Sequence, residues 1–434
     1  MRRALIVALL TAAPARANPV DAYGLGARNP AMGGAATAST DSDSSATYYN
    51  PAAIAAASEI RIDLGYQASL PSLSINGGDQ GVDATHGIVG GLVVPGHIGP
   101  FKLAFGLAVL LPDERVVRLR TYPSDQPRWM YYDNRPQRFF LATSLALQLT
   151  DDLWIGGGIS YVSRTQGSLN LSGRVGFPSA ADSDLNLDIS VDLVAVRYPS
   201  AGILWRVRPW LDVGFTYRGS FTLQVDQGFS IRGDIGPATQ AIVSDAFLSL
   251  TSVSLDHFQP LELAAGFSAR LTPTVLVAGD LTYARWSDFD NPSSLIQLLY
   301  DFKDFNRFVK IPPAPPLPLT YFHDIFIPRI GVEVTASKRL ALRAGYSFEP
   351  TPAPEQRGST NFVDNDKHTL TAGVGVRIFG LGAVVPQPID IDVYAAATIL
   401  PDRAHDKLSL VDPVGDYISG GHIIFGGVES RWRF

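Results

Sequence analysis

Apolar and polar residues alternate along most of the chain, in runs of roughly ten residues. The last run shows the pattern most clearly, because its two parities differ in chemistry. The apolar parity comprises Ile424, Val428, Trp432 and Phe434, and the opposite parity contains Glu429, Arg431 and Arg433. A side-chain period of two is typical of a β-strand with one apolar and one polar face. Such a strand can cross a bilayer with its apolar side chains, here including Trp432 and Phe434, against lipid.

Fourteen runs of this kind predict fourteen strands, and the connections between them are of two kinds. Tight turns such as 96–100 and 150–152 alternate with long segments such as 226–257 and 287–323. The same asymmetry separates the periplasmic turns of an outer-membrane barrel from its extracellular loops. We therefore predict an all-β fold, a closed transmembrane antiparallel β-barrel, rather than a soluble sandwich. The strands are placed at 59–70, 86–95, 101–111, 137–149, 153–166, 186–206, 210–225, 258–270, 274–286, 324–336, 338–348, 367–379, 388–400 and 420–434.

Charged residues on the polar parity are expected to face the lumen, because a mid-bilayer arginine on the lipid face costs about 2–4 kcal/mol. Asp390 and Asp392 lie two residues apart and could form an acid–base pair. We interpret them instead as lumen residues with Arg377 as a partner on the neighbouring strand. The remaining predicted lumen charges are Arg329, Glu333, Arg343, Glu429 and Arg431.

The first 58 residues precede the barrel (residues 59–434) and divide into two parts. Residues 1–17 resemble a secretory signal peptide, with two arginines, a short apolar run and an Ala-x-Ala cleavage site. Residues 18–58 are rich in Gly, Ala and Ser and have no lasting helical or strand period, so they predict a plug inside the lumen or a disordered tail. Within them Pro51 stiffens the turn, Asn50 can satisfy buried backbone groups, and Tyr48 and Tyr49 are the bulky candidate ligand contacts.

Composition excludes several classes of function. The chain contains no cysteine, which rules out disulfides and thiolate sites, and its net charge of −6 argues against a nucleic-acid partner. The seven histidines show no ligand spacing, and no nucleophile, dinucleotide or phosphate-binding motif is present. We therefore expect neither an enzyme nor a metal or cofactor site.

Two of the long connections predict helices. Asp290-Asn291-Pro292 is a plausible helix start, and the apolar residues after it recur at intervals of three and four. The predicted stripe includes Leu298, Phe302, Phe305 and Phe308, and it could be loop packing or a surface that collects an apolar ligand. A second helix is predicted over 238–250.

Several motifs together resemble the FadL-type outer-membrane transporters of hydrocarbons and long-chain fatty acids. These are Gly24-Leu25-Gly26-Ala27-Arg28, Ala31-Met32-Gly33-Gly34-Ala35, Tyr48-Tyr49-Asn50-Pro51-Ala52, Tyr283 to Phe289, Leu342 to Tyr346 and the aromatic terminus Phe434. The resemblance implies a fourteen-stranded barrel with an N-terminal hatch in the outer membrane of a Gram-negative bacterium. It also implies ligand release near a kinked third strand, here 101–111, and a terminal aromatic that is favoured by the barrel assembly machinery.

The expected function is thus passive uptake of hydrophobic small molecules, most readily long-chain fatty acids or related lipids and hydrocarbons. The expected partners are that ligand, outer-membrane lipid and the assembly machinery. The alternative is a structural barrel that anchors partner proteins without transporting a ligand. An apolar path from the 287–323 loop into the lumen would distinguish the two.

Overall fold

Fourteen antiparallel strands close into one barrel in the computed structural model of the chain. The structure describes residues 15–16, 19–41, 43–115, 126–132, 138–176, 179–237, 239, 241–293, 295–307, 316–379, 387–410 and 412–434. Its strands are β1 Ala15–Arg16, β2 Arg61–Ile75, β3 Gly78–Asp79, β4 Thr85–Ile98, β5 Phe101–Pro112, β6 Arg128–Trp129, β7 Phe140–Thr150, β8 Leu153–Gly176, β9 Asp184–Arg208, β10 Leu211–Arg218, β11 Phe221–Gly236, β12 Val243–Gln259, β13 Glu262–Arg270, β14 Val275–Ala284, β15 Leu295–Asp301, β16 Ile325–Ser337, β17 Leu340–Glu349, β18 Phe362–Val363, β19 Lys367–Ile378, β20 Ile389–His405 and β21 Tyr417–Arg433.

The barrel strands follow one another in chain order and confirm the predicted fold. They are β2, β4, β5, β7, β8, β9, β10, β13, β14, β16, β17, β19, β20 and β21. The ladder between β2 and β21 runs from Arg61–Arg433 to Ile75–Ser419 and closes the barrel without a free edge. Each of the fourteen predicted strands overlaps one of these, although the strand predicted at 210–225 ends at Arg218. Within the described residues, no helix is long and apolar enough to cross a membrane.

The outer wall carries the apolar parity. On β21, Ile424 and Val428 are exposed, as is Phe434 directly after it, whereas Glu429 and Arg431 are buried on the lumen side. The third barrel strand, β5, pairs with β4 and β7 without a register shift. A lateral exit beside this strand therefore stays a prediction from the resemblance alone.

Both predicted loop helices are wrong. Residues 243–259 form β12, and residues 295–301 form β15, which pairs with β12 from Phe247–Asp301 to Val253–Leu295. Ala246, Leu248 and Leu250 already alternate with period two, and a short apolar run such as 295–302 fits either period. Only a 3-10 helix, Lys303–Arg307, remains of the first prediction. Phe308 and residues 311–315 lie outside the described residues, as does the side chain of Phe305.

Beyond the barrel, β8 and β9 continue as a long hairpin. Where β7 ends, β11 takes its place beside β8 in a parallel pairing from Gln227–Gly167 to Gly236–Gly176. β12 then pairs with β11, and β15 with β12. The resulting five-stranded layer, in the order β9–β8–β11–β12–β15, is called the extension sheet below.

The N-terminal segment (residues 19–57) lies among the barrel strands. It contains helices α1 Pro19–Tyr23, α2 Arg28–Ala31 and α3 Ala46–Tyr49 and a 3-10 helix, Pro51–Ala56. α2 contacts β17, β19 and β20, whereas the 3-10 helix contacts β4, β5, β7, β8 and β9 on the other side of the lumen. Most of its residues are buried. Of the residues predicted as a signal peptide, only Ala15 and Arg16 are described, and they pair with the end of β12.

Candidate functional site

A cavity of about 180 Å³ lies in the lumen between the N-terminal segment and the extracellular loops. Tyr23, Tyr48 and Tyr49 of the N-terminal segment line one side, and Tyr131 and Trp286 from two loops line the other. The wall between them is mixed in character. It presents the polar or charged residues Thr216, Arg218, Glu262, Asp280, Arg329 and Thr371 and the apolar residues Ile327, Ile423 and Phe425.

Aromatic side chains from three parts of the chain cover the cavity on the side of the long loops. Tyr131 meets Trp286 edge-on at 4.8 Å between ring centroids, and Phe258 lies 5.0 Å from Trp286. Phe289 and Phe322 extend the cluster, with their centroids 4.4 Å apart. All five are buried, and we call them the aromatic cap. Tyr131 and Trp286, which line the cavity, thus belong to a larger aromatic cluster on this side.

Tyr48 and Tyr49 form the floor of the cavity, and their polar groups are used within the protein. The hydroxyl of Tyr48 donates to Asp21, and the guanidinium of Arg218 lies over its ring at 4.0 Å. The hydroxyl of Tyr49 accepts a hydrogen bond from the backbone N–H of Leu25 at 3.2 Å. The two rings meet edge-on at 5.1 Å. What they offer a ligand is therefore mainly ring surface.

The turn at Asn50 and Pro51 attaches the N-terminal segment to the wall. Asn50 is fully buried, and its amide N–H2 donates to the carbonyls of Thr37 at 2.6 Å and Ile203 at 3.1 Å. Its Oδ1 accepts from the N–H of Ala52 at 3.0 Å, which caps the 3-10 helix that begins at Pro51. A Cβ on Gly202 of β9 would lie 2.0 Å from Asn50 Oδ1, so only glycine lets the segment approach this closely.

On the side of the short turns, a network of charges holds the N-terminal segment. Arg431 of β21 contacts Asp43 at 2.6 Å, Asp41 at 3.1 Å and the wall residue Asp63 at 3.2 Å. A second contact has its cation on the segment: Arg28 donates to Glu333 of β16 at 2.9 Å. All of these groups are at least half-buried, so their mutual pairing offsets a large desolvation cost.

The other predicted lumen charges also point inward. Arg343 bridges Glu333, at 2.7 Å, and Asp392. Glu429 accepts from the N–H of Ala27 at 3.0 Å, so it too contacts the N-terminal segment. Arg329 donates to Thr282 at 2.7 Å beside the cavity.

Arg377, in contrast to Arg431, pairs with a residue of the wall. Its guanidinium donates to Asp390 at 2.6 and 3.0 Å, as the sequence analysis expected. These residues border a second cavity of about 340 Å³, which opens among the short turns below the N-terminal segment. The segment thus separates two spaces in the lumen.

Neither Leu298 nor Phe302, the two predicted loop contacts whose side chains the structure describes, lines the cavity. Leu298 lies on β15 in the extension sheet, and Phe302 stacks on Tyr300 at 5.7 Å, away from the cavity lining. At the C-terminus, Trp432 donates to Ser430 on its own strand, and Phe434 is exposed.

The sequence analysis missed the apolar part of the lumen wall. Ile423 and Phe425 share the parity of Glu429 and Arg431, and both are buried beside the cavity. Their signal was the local break in alternation at the start of the last strand. They and Ile327 of β16 are apolar positions in a lining that is otherwise largely polar.

A polar cluster stiffens the rim next to the cavity. Lys367 donates to Glu349 at 2.9 Å and contacts Asp364 at 3.2 Å. Its ammonium lies 5.3 Å from the ring of Tyr131. Burial raises the pKa of the neighbouring Tyr132 well above its usual value. The cluster fixes the loop that carries Tyr131.

The volume of the cavity between the aromatic cap and Tyr48 and Tyr49 indicates what it can hold. A dry engineered cavity of about 150 Å³ accommodates benzene, whereas pockets for drug-sized ligands are about 300–1,000 Å³. At about 180 Å³ this cavity matches one compact hydrocarbon or a short segment of a chain. No group of three or more potential metal ligands occurs in the described part of the chain.

Comparison with protein families and with individual proteins finds relatives of this chain. A family model described as "Outer membrane protein transport protein (OMPP1/FadL/TodX)" matches residues 4–380. Alkane uptake protein A of Marinobacter nauticus is 24% identical over 402 residues, which cover 86% of this chain and 82% of that protein.

Solved structures show the same fold. The crystal structure of a Pseudomonas aeruginosa FadL homologue superposes with a TM-score of 0.58 at 14% identity, covering 94% of this chain and 98% of the other. The Pseudomonas putida toluene transporter TodX gives a TM-score of 0.52 at 16% identity, covering 95% and 99%.

Proposed function

The chain belongs to the OMPP1/FadL/TodX family of outer membrane transport proteins, and from this premise we propose that it takes up hydrocarbons. It is a protein of the Gram-negative outer membrane and a transporter of hydrophobic compounds rather than an enzyme. The proposal concerns the finer points: which compounds pass, and what opens the path.

The observation that carries the proposal is the cavity between the aromatic cap and Tyr48 and Tyr49. Its volume of about 180 Å³ suits a monoaromatic ring or a short alkane better than a whole long-chain fatty acid. The name of the similar alkane uptake protein supports the same substrate class. Each methylene that a ligand buries there contributes about 0.8 kcal/mol. Long-chain fatty acids, the other expected substrate, would have to thread through the cavity in segments.

We further propose that the N-terminal segment is the gate. It separates the cavity under the aromatic cap from the polar space among the short turns, so a ligand cannot cross while the segment keeps its place. The contacts of Asn50 and the charge network on Arg431 hold the closed state. A ligand that displaces the ring of Tyr48 or Tyr49 would act on the same segment.

A cavity-filling substitution tests the transport path. Ile327 is buried beside the cavity, whereas Ile330 on the same strand is exposed on the lipid side. We expect Ile327→Trp to abolish uptake of radiolabelled toluene and octane by outer-membrane vesicles, because an indole ring occupies the space that the ligand needs. Ile330→Trp is the matched control and should transport normally.

Two results would contradict the proposal. Equal uptake by both variants would mean that ligands bypass this cavity. Absence of uptake by the unmodified protein, for toluene, octane and oleate alike, would favour the alternative of a structural barrel that anchors partners.

A further inference from the structure

The second cavity of the lumen, about 340 Å³ in volume, is lined largely by charged side chains. We call it the lower cavity, because it opens among the short turns, which face the periplasm in bacterial barrels. Eight arginine and lysine side chains line it, against four carboxylates. A hydrocarbon gains little in such surroundings, so a ligand of the lower cavity must differ chemically from one that binds under the aromatic cap.

Five of the eight cations form salt bridges with carboxylates of the wall or of the N-terminal segment. They are Arg28, Arg343, Arg377, Arg431 and Arg433. Arg433, for example, contacts Glu59 at 3.2 Å and also Asp390. The charge of these five arginines is therefore already compensated within the protein.

The other three cations of the lower cavity are not paired in this way. Within the described part of the chain, their side chains form no salt bridge and donate no hydrogen bond: Arg270, Lys338 and Arg339. The carboxylate of Asp212, on the strand next to Arg270, is taken by Arg206 at 3.2 Å. The guanidinium of Arg339 lies 6.0 Å from the centroid of the Phe379 ring, which is a weak contact at an exposed site.

Arg270 and Arg339 lie on the lumen parity of their strands. On β13 this parity includes Ser268, which is buried and lines the lower cavity, and on β17 it includes Arg343. Both unpaired arginines are exposed, so their charge faces the open space of the cavity. A basic residue on the outside of a turn is ordinary surface charge, whereas these two arginines face one enclosed space.

The spacing of the two arginines indicates the size of the ligand. β13, β14, β16 and β17 are consecutive in the barrel, so Arg270 and Arg339 are three strand spacings apart, about 14 Å along the wall. A molecule with two anionic groups can contact both side chains at once. The planar guanidinium group matches the oxygens of a carboxylate or a phosphate in bidentate geometry. A volume of about 340 Å³ is also within the range of small-molecule sites.

We propose that the lower cavity binds a small polyanion from the periplasm, a molecule with two or more carboxylate or phosphate groups. Arg270 and Arg339 donate hydrogen bonds to its anionic groups, and Lys338 attracts it from the turn between β16 and β17. The hydroxyl groups of Ser268 and Thr335, which line the same cavity, are further donors. The site is separated from the cavity under the aromatic cap by the N-terminal segment, so the proposal does not depend on hydrocarbon uptake.

Isothermal titration calorimetry on the full chain in detergent tests the site. The probes are citrate and pyrophosphate, acetate is the control with a single charge, and a buffer with about 0.15 M salt screens long-range attraction. Arg270→Gln combined with Arg339→Gln should weaken binding of the probes at least about tenfold, because two charge-assisted contacts are lost. Lys102→Gln combined with Arg208→Gln is the matched control. It removes two exposed cations near other short turns, outside the lower cavity, and should leave the affinity unchanged.

The two probes distinguish the possible sources of the negative charge. Binding of citrate alone identifies carboxylates as the ligand groups, binding of pyrophosphate alone identifies phosphates, and either result supports the proposal. Three results would overturn it. These are the absence of binding of both probes to the unmodified protein, an equal loss of affinity in the two double variants, and binding of acetate as tight as that of the probes.

Protection of an introduced cysteine locates the ligand without changing the arginines, because the chain has no cysteine of its own. Thr335→Cys places a thiol in the lower cavity, and Thr150→Cys places one in a short turn outside it. A probe at about ten times its dissociation constant should slow alkylation of Thr335→Cys by iodoacetamide roughly tenfold, by mass action, and should not affect Thr150→Cys.

Unslowed alkylation of Thr335→Cys, or equal protection of both thiols, would mean that the anion binds elsewhere and would overturn the proposal. Heat-modifiable migration on a denaturing gel establishes that every variant is folded. Binding and protection are both measured without transport, so their failure would leave the proposed uptake of hydrocarbons standing.

Discussion

Replacing Arg431 with methionine should release the N-terminal segment from the wall. Arg431 is the shared cation of Asp41, Asp43 and Asp63, at 3.1, 2.6 and 3.2 Å. Its side chain is 4% exposed, so water cannot replace it easily. Methionine keeps much of the length of the stem but leaves these carboxylates facing one another.

The expected effect is large. Removing one partner of a buried ion pair costs about 3–5 kcal/mol, because the remaining charge stays desolvated and unpaired. Asp43 of the N-terminal segment and Asp63 of the wall lose this cation, whereas Asp41 keeps Arg28 and Arg61, each at 3.3 Å. Displacement of the segment separates Asp43 from Asp63 and so relieves the strain. If the closed state alone bears this cost, the ratio of displaced to closed segment rises by a factor of roughly 10²–10³ or more.

Single-channel conductance in planar bilayers measures the displacement directly. We expect Arg431→Met to show frequent or permanent open levels where the unmodified protein is closed. Arg377→Met is the matched control: it removes an arginine from the same lumen, but one whose partner, Asp390, belongs to the wall. It should stay closed.

Closed channels for Arg431→Met in a folded, heat-modifiable barrel would refute the view that this network holds the segment. Equal opening of both variants would mean that the loss of any lumen charge is enough to open the channel. The contacts of Arg431 with Asp41 and Asp43 would then not be what holds the segment.

Further predictions concern the segment, the terminus and the cap. Gly202→Ala should lower the folded yield, because its Cβ would displace Asn50 and break three hydrogen bonds of about 1 kcal/mol each. The control is Gly157→Ala, whose Cβ meets only the carbonyl oxygen of Ser200 at 3.7 Å, and it should leave the folded yield unchanged. Phe434→Ala should reduce the folded fraction on a semi-native gel more than Arg433→Ala, and the reverse order would contradict the terminal aromatic as an insertion signal. Trp286→Ala should extend transport to bulkier hydrocarbons, measured as the uptake ratio of naphthalene to toluene; an unchanged ratio would argue against the cap as the size filter.

The barrel could be predicted from sequence because one physical constraint acts on every strand. A residue on the lipid face must be apolar, and a charge such as Arg431 must face the lumen, so parity alone fixes both register and side. The short turns then follow from the positions at which alternation stops. All fourteen strands were found in this way; the largest errors are at the end of β8, which lies at Gly176 rather than at 166, and at the end of β10, which lies at Arg218 rather than at 225.

The extension sheet was not predicted, since no bilayer constrains it. Leu295, Leu298, Leu299 and Phe302 fit a helical stripe, yet Ile296, Leu298 and Tyr300 equally fit one face of a strand. The strand forms instead of the helix because β15 pairs with β12, and the paired residues are more than forty positions apart in the chain. Local periodicity cannot contain that information.

The contacts of the N-terminal segment were only partly accessible for a similar reason. Asn50 could be recognised as a buried amide before a proline, but its partner Ile203 and the glycine that admits it are far away in sequence. The aromatic cap likewise unites Tyr131 from one loop with Trp286 and Phe322 from the two ends of another. Each residue stood out by type, and only the closed barrel brings them together.

A lumen rich in charges can still admit an apolar solute, because those charges are already paired. Arg218 contacts Glu262 and the ring of Tyr48, and Arg329 donates to Thr282, so neither depends on water in the cavity for its partners. A hydrocarbon that enters displaces water from aromatic and aliphatic surface while Arg218 keeps Glu262 and Arg329 keeps the hydroxyl of Thr282 as partners, which lowers the desolvation cost. An ionic solute would have to break these pairs to gain contacts of its own. The arrangement thus favours passage of uncharged, apolar molecules.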